Sequence, residues 1–231
     1  MPSMSNIGVR DARRLALARA GLLNPAWTAM PSAGAGSGVR ARKAAHAVVM
    51  RFGYLQLDTV SIAGARSHTL VLLSRVDGMD PRLGEDLLRP GEPLFEYWGH
   101  EASWIPTDLY PHFAFRRDEF KKGPWWLGSF FKKNRSLVRS VVTRIRDEGP
   151  LRSADLEGSG GGGWWQHKPA KRAAVALWCR GELAIRERRG FQRTFDIPER
   201  VIPKAKLEQT LPYKKALRDL LLRAAEGHGW A

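Results

Sequence analysis

The feature that most constrains the fold is a segment with the period of an amphipathic helix, residues 134–148. Apolar side chains recur there at steps of three and four residues, which places them on one helical face. They are Leu137, Val138, Val141, Val142 and Ile145. Gly149-Pro150 follows and ends the pattern, because neither residue readily continues a helix. A helix with one apolar stripe must pack that stripe against a core.

The elements predicted after this helix follow an order known from DNA-binding proteins. Ser153 is placed to cap a short helix at residues 154–156, and Pro169 begins a longer helix that Arg180-Gly181 ends. Residues 182–195 then have the pattern of a hairpin. Helix, short helix, helix and hairpin is the order of a winged helix, a helix-turn-helix with a β-hairpin wing.

A similar order is predicted for residues 9–75. Its elements are a helix at 11–22, a loop at 32–38, a helix at 39–51 that Gly53 ends, and strands at 54–58 and 69–75. The remaining elements are a short helix at 81–88, a strand pair at 94–98 and 102–105, and helices at 107–120 and 212–226. The sequence therefore predicts an α+β fold, mostly helical, built from tandem winged-helix units.

The charge of the chain points to a polyanionic partner. It has 38 basic and 23 acidic side chains, a formal net charge of +15. The excess is unevenly spread, because residues 1–54 carry +7, residues 55–120 carry −5 and residues 164–215 carry +8. Two basic segments that flank an acidic one favour nucleic acid as the partner.

Each predicted unit has a basic cluster at the start of the helix that precedes its strands. The clusters are Arg40, Arg42 and Lys43 in the first unit and Lys168, Lys171 and Arg172 in the second. A recognition helix contacts DNA with its N-terminal residues, where the helix dipole also favours phosphate. Either cluster alone is equally typical of a solvated helix start, but the two together favour DNA contact.

Several kinds of site and segment are excluded or disfavoured. A single cysteine, Cys179, excludes a disulfide framework and a multi-cysteine metal site, and the six histidines have no metal-ligand spacing. The longest aliphatic run, residues 70–73, is too short to span a membrane, and the N-terminus lacks a signal-peptide layout. The glycine run at 158–163 does not follow a strand, as a dinucleotide site requires. We therefore expect a soluble intracellular protein.

Gln56 and Asp58 are the candidate catalytic pair. Residues i and i+2 of a strand face the same way, so these two side chains project together while Leu55 and Leu57 face the other side. An amide beside a carboxylate can hold and polarise a water molecule. The alternative, which spacing alone favours, is that Asp58 caps the turn at Thr59 and Gln56 is a solvated strand residue.

Several stretches together resemble the YcaQ/AlkZ-type winged-helix DNA glycosylases, which unhook interstrand crosslinks. The sequence GYLQLDTV at residues 53–60 is similar to the glutamine-x-aspartate signature of that family. The other matching stretches are ARRLAL at 12–17, ARSH at 65–68, LVLLSR at 70–75, LFEYWGHEA at 94–102, GPL at 149–151, WW at 164–165, KR at 171–172 and GFQRTFDIPERVIP at 190–203. The resemblance extends from Asp11 to about Leu222.

The resemblance implies excision of N7-alkylated guanine from double-stranded DNA, including guanines that tether the two strands. Gln56 would orient a water molecule, and Asp58 would act as general base and stabilise positive charge on the sugar. Arg75 and His100 would lie near the site. The two basic clusters would bind backbone phosphates, as would Arg186, Arg188, Arg189 and Arg193. The resemblance implies no metal, cofactor, membrane or protein partner, and a cytoplasmic location on the nucleoid.

The chain departs from the family in two ways. Family members are longer, with a complete third winged helix and a β-barrel, and Ala20 stands where a glutamine is expected. We therefore expect a first winged helix with the catalytic strand and an inserted α/β segment at residues 1–120, a second at 121–205 and a truncated third at 206–231. The alternatives are a non-catalytic winged-helix regulator of transcription and a truncated, inactive family member.

Overall fold

A computed structural model describes residues 7–31, 33–62, 64–123, 130–156 and 169–228, and the chain is α+β and mostly helical. The helices are α1 (Val9–Arg19), α2 (Val39–Phe52), α3 (Ser67–Leu73), α4 (Ala114–Lys121), α5 (Phe130–Lys133), α6 (Arg135–Glu148), α7 (Pro169–Cys179), α8 (Lys204–Leu207) and α9 (Tyr213–His228). The strands are β1 (Ala33–Gly36), β2 (Leu55–Gln56), β3 (Ser61–Ile62), β4 (Ala65–Arg66), β5 (Asp77–Met79), β6 (Leu94–Trp98), β7 (Ala102–Pro106), β8 (Leu151–Arg152), β9 (Ala184–Arg189) and β10 (Gln192–Asp196). Short 3-10 helices lie at Pro25–Thr28, Pro81–Glu85, Thr107–Phe113 and Pro198–Arg200. Within the described ranges, no helix combines the length and the apolar character needed to cross a membrane.

Two three-stranded antiparallel sheets organise these elements. In the first, β7 lies between β2 and β6, which sets Leu55 opposite Trp104 and Gln56 opposite Ser103. In the second, β10 lies between β8 and β9. β1 and β5 form a parallel pair, and β3 and β4 form a short antiparallel pair. Both candidate catalytic residues therefore lie on or just after the edge strand of the first sheet.

Most predicted helices and the two hairpins are confirmed. The helix predicted at residues 39–51 is α2, and Gly53 ends it with a φ of +81°, a left-handed conformation that favours glycine. The amphipathic helix is α6, which buries Val141 and Ile145 of its predicted stripe. The predicted strand pair at 94–105 is β6 with β7, and the predicted hairpin at 182–195 is β9 with β10.

The strand predicted at residues 69–75 is wrong, because most of them belong to helix α3. Thr69 and Leu72 are buried, and Val71 and Leu73 are only partly so, which is a helical rather than an alternating pattern. A short continuous apolar run has no period that separates a strand from a buried helix. The three strands of the first sheet are therefore β2, β6 and β7, and α3 lies between β2 and β6 in the chain.

Three shorter predictions are also corrected. The loop predicted at 32–38 contains β1, which gains a partner in β5. The helix predicted at 154–156 is a turn, in which the Asp155 carboxylate accepts hydrogen bonds from the backbone N–H and the guanidinium of Arg152. The helix predicted at 81–88 is only a 3-10 turn. Local side-chain bonds to the backbone compete with helix formation at such sites.

One hydrophobic core runs through both sheets. Trp104, Trp178 and Phe195 are almost completely buried in it. Trp178 on α7 donates its indole N–H to the carbonyl of Glu96 on β6 at 3.0 Å. Tyr97 on β6 donates its hydroxyl to the carbonyl of Cys179. These bonds join α7 to the first sheet, and they hold the hairpin of β9 and β10 close to it.

Candidate active site

A cleft of 670 Å³ opens between the end of α2, strand β2, α3 and α9. Three residues singled out from the sequence lie in its wall: Gln56, Arg75 and His100. The wall also includes four aromatic side chains, Phe52, Tyr54, Phe113 and Phe115, and two further arginines, Arg116 and Arg223. None of the residues that line it in the described part of the chain is acidic. The cleft therefore suits an anionic ligand that also has flat, apolar surfaces.

Strand pairing holds Gln56 at the cleft. Leu55 and Leu57 are buried, and the N–H of Leu57 donates to the carbonyl of Ala102 at 2.8 Å, one residue beyond β2. This alternation leaves Gln56 exposed, as predicted. Its side-chain amide makes no hydrogen bond to another described residue. Both the amide oxygen and the amide nitrogen are therefore available to a ligand or to water.

Asp58 is partly buried and does not itself line the cleft. Its Oδ1 accepts a hydrogen bond from the N–H of Val60 at 2.9 Å. This is a local turn of the kind that the structural alternative for Asp58 predicts near Thr59. The other carboxylate oxygen has no partner among the described residues. The same carboxylate can therefore hold the turn and still accept a proton.

His68 is a residue that sequence reasoning did not single out for the site. It is 1% exposed at the start of α3, and its Nδ1 accepts a hydrogen bond from the N–H of Asp58 at 3.5 Å. The ring stacks on Phe191, with centroids 5.6 Å apart, and meets the edge of Trp104 at 5.7 Å. Because Nδ1 accepts, the ring proton is on Nε2, which lies 3.7 Å from Oε1 of Glu85.

Burial lowers the pKa of His68 to about 4, because the imidazolium ion loses its hydration inside the protein. Glu85 opposes this change, whereas the positive charges of Arg188 and Arg66 add to it. His68 is therefore neutral at pH 7 and can accept the Asp58 hydrogen bond. Two signals in the sequence could have pointed to it: His68 ends the stretch ARSH that resembles the family, and it stands at the edge of an aliphatic run ten residues after Asp58.

Arg75 anchors the wall of the cleft formed by α3. Its Nε donates to the carbonyl of Ala20 at 2.8 Å and its Nη1 to that of Val71 at 2.9 Å, while the guanidinium lies 5.3 Å from the ring centroid of Phe52. Burial lowers its pKa, but an arginine stays charged at neutral pH. His100 is exposed at the turn between β6 and β7. Neither residue has a carboxylate partner in the described part of the chain.

The family model for the DNA glycosylase AlkZ-like family matches residues 49–231. The chain belongs to the AlkZ-like DNA glycosylase family. The match includes Gln56, Asp58 and His68, and it confirms the family that the sequence motifs resemble. No solved structure matches the chain. Within the described residues, no three histidine, cysteine or acidic side chains are grouped so that they could hold a metal ion.

In this AlkZ-like chain, the first basic cluster is divided between solvent and an ion-pair network. Arg40 and Lys43 are exposed at the start of α2. Arg42 lies inward, with Nη2 3.0 Å from the carboxylate of Asp86 and Nη1 3.5 Å from that of Glu92. Arg42 therefore ties α2 to the segment before β6, and only its two neighbours are exposed for contact with DNA.

The second basic cluster is only partly described. Lys168 lies outside the described residues, as do the glycine run and the tryptophan pair. Lys171 is half-buried near the start of α7. Arg172 is exposed, and its guanidinium lies 4.7 Å from the ring centroid of Phe130. Of the two described residues, Lys171 is therefore only partly accessible, whereas Arg172 is exposed and contacts an aromatic ring.

Arg188 and Arg193 of the hairpin lie against a buried carboxylate. Arg188 is 8% exposed, and its Nε and Nη2 donate to the two oxygens of Glu96 at 2.6 and 2.7 Å. The Nε of Arg193 donates to Oε1 of Glu96 at 2.7 Å. Burial alone would raise the pKa of Glu96, but the charges of Arg193 and Arg188 hold it below its usual value. Both guanidinium groups are therefore bound to Glu96, which disfavours the phosphate contacts expected of Arg188 and Arg193.

The other two arginines of the hairpin are paired less deeply. Arg186 donates to the buried carboxylate of Asp196 at 3.1 Å. Arg189 is exposed, with its Nε 2.8 Å from Glu187. The expected phosphate contact of the hairpin is thus reduced to its rim, because acidic side chains already face its arginines.

Proposed function

We propose that the protein is a DNA glycosylase that hydrolyses the N-glycosidic bond of N7-alkylguanine in double-stranded DNA, including guanines that crosslink the strands. The observation that carries the proposal is Gln56, which is exposed in the wall of a cationic cleft two residues before Asp58, inside the family match. An N7-alkylguanine is cationic and leaves without being protonated. The protein must then position a water molecule and stabilise positive charge on the sugar.

Gln56 and Asp58 divide these two tasks. The Gln56 amide orients the water, and the unpartnered oxygen of Asp58 accepts its proton. The water oxygen bonds to C1′ as the C1′–N9 bond breaks, and the electron pair of that bond returns to the base, which leaves as neutral alkylguanine. The carboxylate also offsets the positive charge that develops on the sugar. The step needs no metal and no cofactor.

Neutral His68 supports this chemistry indirectly. Its hydrogen bond to the Asp58 backbone and the Val60 bond to the Asp58 side chain together fix where the carboxylate lies. A protonated His68 could not accept the first of these bonds. His68 is therefore a positioning residue for Asp58 in the proposed reaction.

The DNA duplex would lie across a surface made by two winged-helix units. In residues 121–205, the order α6, β8, α7, β9 and β10, with β8 beside β10, supports a winged helix. In residues 1–120, α2 followed by β2 and the β6–β7 hairpin supports another, and α9 would begin a third in 206–231. Arg40 and Lys43 would bind backbone phosphates from the start of α2, and Arg75 and His100 would bind phosphate near the lesion.

The test is incubation with duplex DNA that contains 7-methylguanine, followed by alkaline cleavage of abasic sites. We expect strand breaks that persist in EDTA. Asp58→Asn and Gln56→Ala should each lower the single-turnover rate by about 100-fold or more. Matched changes at exposed residues outside the cleft, Asp77→Asn and Gln192→Ala, should leave the rate within about twofold. An absence of strand breaks would contradict the proposed activity, and full activity in the Asp58 variant would contradict the assigned base.

A non-catalytic DNA-binding protein is the second candidate function. The observation that favours it is the Val60 bond to Asp58, since a purely structural turn needs the same contact. Such a protein would bind undamaged and alkylated duplex equally and would produce no strand breaks. The incubation above therefore separates the two functions.

A further inference from the structure

Residues 120–146 contain eight basic side chains and no acidic one. The described part of this stretch includes α5 and α6. Elsewhere on the described surface, many exposed cations have acidic neighbours. Arg82 lies 2.6 Å from Asp80, for example, and Arg152 lies 3.0 Å from Asp155.

The exposed residues of α5 and α6 form one continuous face. Seven of them line a shallow groove of 600 Å³: Lys132, Lys133, Arg135, Ser136, Arg139, Ser140 and Thr143. Arg146, Asp147 and Glu148 are also exposed, but they lie at the end of α6 outside this groove. Steps of three and four residues place most of the groove residues on the same side of the helix. From residue 135 to residue 143 this α5–α6 face extends about 12 Å, which is the axial length of three to four base pairs.

The four cations of the α5–α6 face lack acidic partners within the described residues. No described carboxylate lies within ion-pair distance of Lys132, Lys133, Arg135 or Arg139. The first turn of α6 contains no acidic residue, and the side chain of Asn134 donates to the carbonyl of Phe130 instead of capping the helix. Cations near the positive end of a helix dipole repel it, so the face is destabilising until an anion binds.

The buried side of α6 holds this face in a fixed orientation. Val141 and Ile145 are buried against the core. Arg200 donates to the carbonyl of Ile145 at 3.1 Å and to that of Arg146 at 2.7 Å at the end of the helix. Arg135 and Arg139 therefore project from an anchored helix, which suits a partner that is itself rigid and regularly charged.

We propose that the α5–α6 face is a second surface that binds the phosphate backbone of double-stranded DNA. The proposal rests on DNA as the substrate, as in the proposed function, and adds a contact surface that the sequence did not indicate. Lysine, arginine and serine side chains are the usual donors to backbone phosphates. This face would make the phosphate contacts that were expected of the hairpin, whose Arg188 and Arg193 are bound to Glu96.

The test is a variant that neutralises the four cations of this face: Lys132→Gln, Lys133→Gln, Arg135→Gln and Arg139→Gln. Binding to an undamaged 20-base-pair duplex is followed by fluorescence anisotropy at several NaCl concentrations. Each lost phosphate contact lowers the slope of log K against log salt by about 0.9, so the variant should lose about 3 to 4 in slope. At 0.1 M NaCl its Kd should rise by about tenfold or more.

The control removes the same charge from four cations outside this face that have acidic partners. Its changes are Arg82→Gln, Arg144→Gln, Arg152→Gln and Lys204→Gln. We expect its Kd within about threefold of the unchanged protein and its slope within about 1. Melting curves followed by circular dichroism establish that both variants are folded.

Equal effects of the two variants would overturn the proposal, because net charge would then explain the loss. An unchanged Kd for the α5–α6 variant would overturn it too, as would a loss of binding to phosphatidylserine vesicles with duplex binding retained. The readout is binding to undamaged DNA, so a protein that never excises 7-methylguanine still tests this surface. Conversely, excision of 7-methylguanine with an unaffected Kd would leave the proposed activity intact and remove the surface.

Discussion

The β9–β10 hairpin and the α5–α6 face are both rich in basic residues, yet they serve different purposes in the fold. In the hairpin, Arg188 and Arg193 converge on the buried carboxylate of Glu96. On the α5–α6 face, cations such as Arg135 and Arg139 are exposed with no acidic partner in the described residues. A buried ion pair with satisfied hydrogen bonds mainly positions the elements that carry it. An unpaired exposed cation retains its charge for a ligand.

A count of basic residues therefore does not locate a DNA-binding surface in this chain. The segment at 55–120 is acidic overall, and one of its carboxylates, Glu96, sits on β6 where the hairpin packs. The acidic middle of the chain therefore neutralises part of the basic segment that follows it. No such carboxylate reaches α5 and α6 in the described structure, so the basic character of that segment stays on the surface.

Loss of the Glu96 carboxylate beneath the hairpin should have the largest effect. Glu96→Gln leaves Arg188 buried without a countercharge, so the free energy of unfolding should fall by about 3–5 kcal/mol. Urea denaturation measures it. Glu101→Gln, an exposed change of the same kind, should alter that free energy by less than about 0.5 kcal/mol. The free energy of unfolding of the four-residue α5–α6 variant should also stay within about 1 kcal/mol of that of the unchanged protein. Equal losses of stability in all three variants would contradict a structural role that is specific to Glu96.

A smaller effect should appear in the pH dependence of stability through His68, which stacks on Phe191 at the tip of the same hairpin. The pKa of His68 is about 4 in the folded protein and about 6.5 in the unfolded chain. The unfolded chain therefore binds more protons between these values. Its contribution to stability is complete above pH 6.5 and is lost as the pH falls toward 4, a change of a few kcal/mol.

His68→Gln should flatten this part of the profile, as measured by denaturant unfolding between pH 4 and 7. Some slope should remain, because burial also lowers the pKa of His46. An NMR titration of the imidazole gives the pKa of His68 directly. A pKa near 6.5 would mean that the ring is solvated. Such a value would contradict the packing of Phe191, at the tip of the hairpin, on a buried His68.

Single substitutions on the α5–α6 face and on the hairpin should have the smallest effects. Arg139→Gln removes an unpaired cation from the α5–α6 face, whereas Arg189→Gln removes an exposed hairpin cation that pairs with Glu187. The first should lower the salt slope of duplex binding by about 0.9 and the second by clearly less. Anisotropy titrations from low to moderate salt give both slopes. If Arg189→Gln had the larger effect, the hairpin rim and not α6 would be the main contact.

Local sequence signals predicted the elements of the site well. Gly53 ended α2 as expected, and the alternation of Leu55, Gln56 and Leu57 predicted which side chain of the strand is exposed. The motif resemblance led to the family that the match at residues 49–231 confirms, and it named Arg75 and His100, which line the same cleft as Gln56. These features depend on residues close together in the chain or on a recognisable pattern.

Long-range partners were not predictable in this way. The strand expected at residues 69–75 became α3, because a short apolar run fits either structure until its neighbours are known. The pairing of Arg188 with Glu96 joins residues 92 positions apart, and no spacing rule connects them. The stacking of His68 on Phe191 joins residues even farther apart in the chain and depends on how the hairpin packs against α3.

By itself, the sequence determined the mixed helical and strand composition, the exposed amide of Gln56, the family and a strongly basic chain, because propensity, periodicity and charge are properties of short segments. The tertiary fold alone set that His68 is neutral where it accepts the Asp58 N–H, that Glu96 binds two hairpin arginines, and that no described carboxylate pairs with the cations of the α5–α6 face. Burial and the arrival of a distant carboxylate set those outcomes, since each changes the free energy of a charge according to what surrounds it.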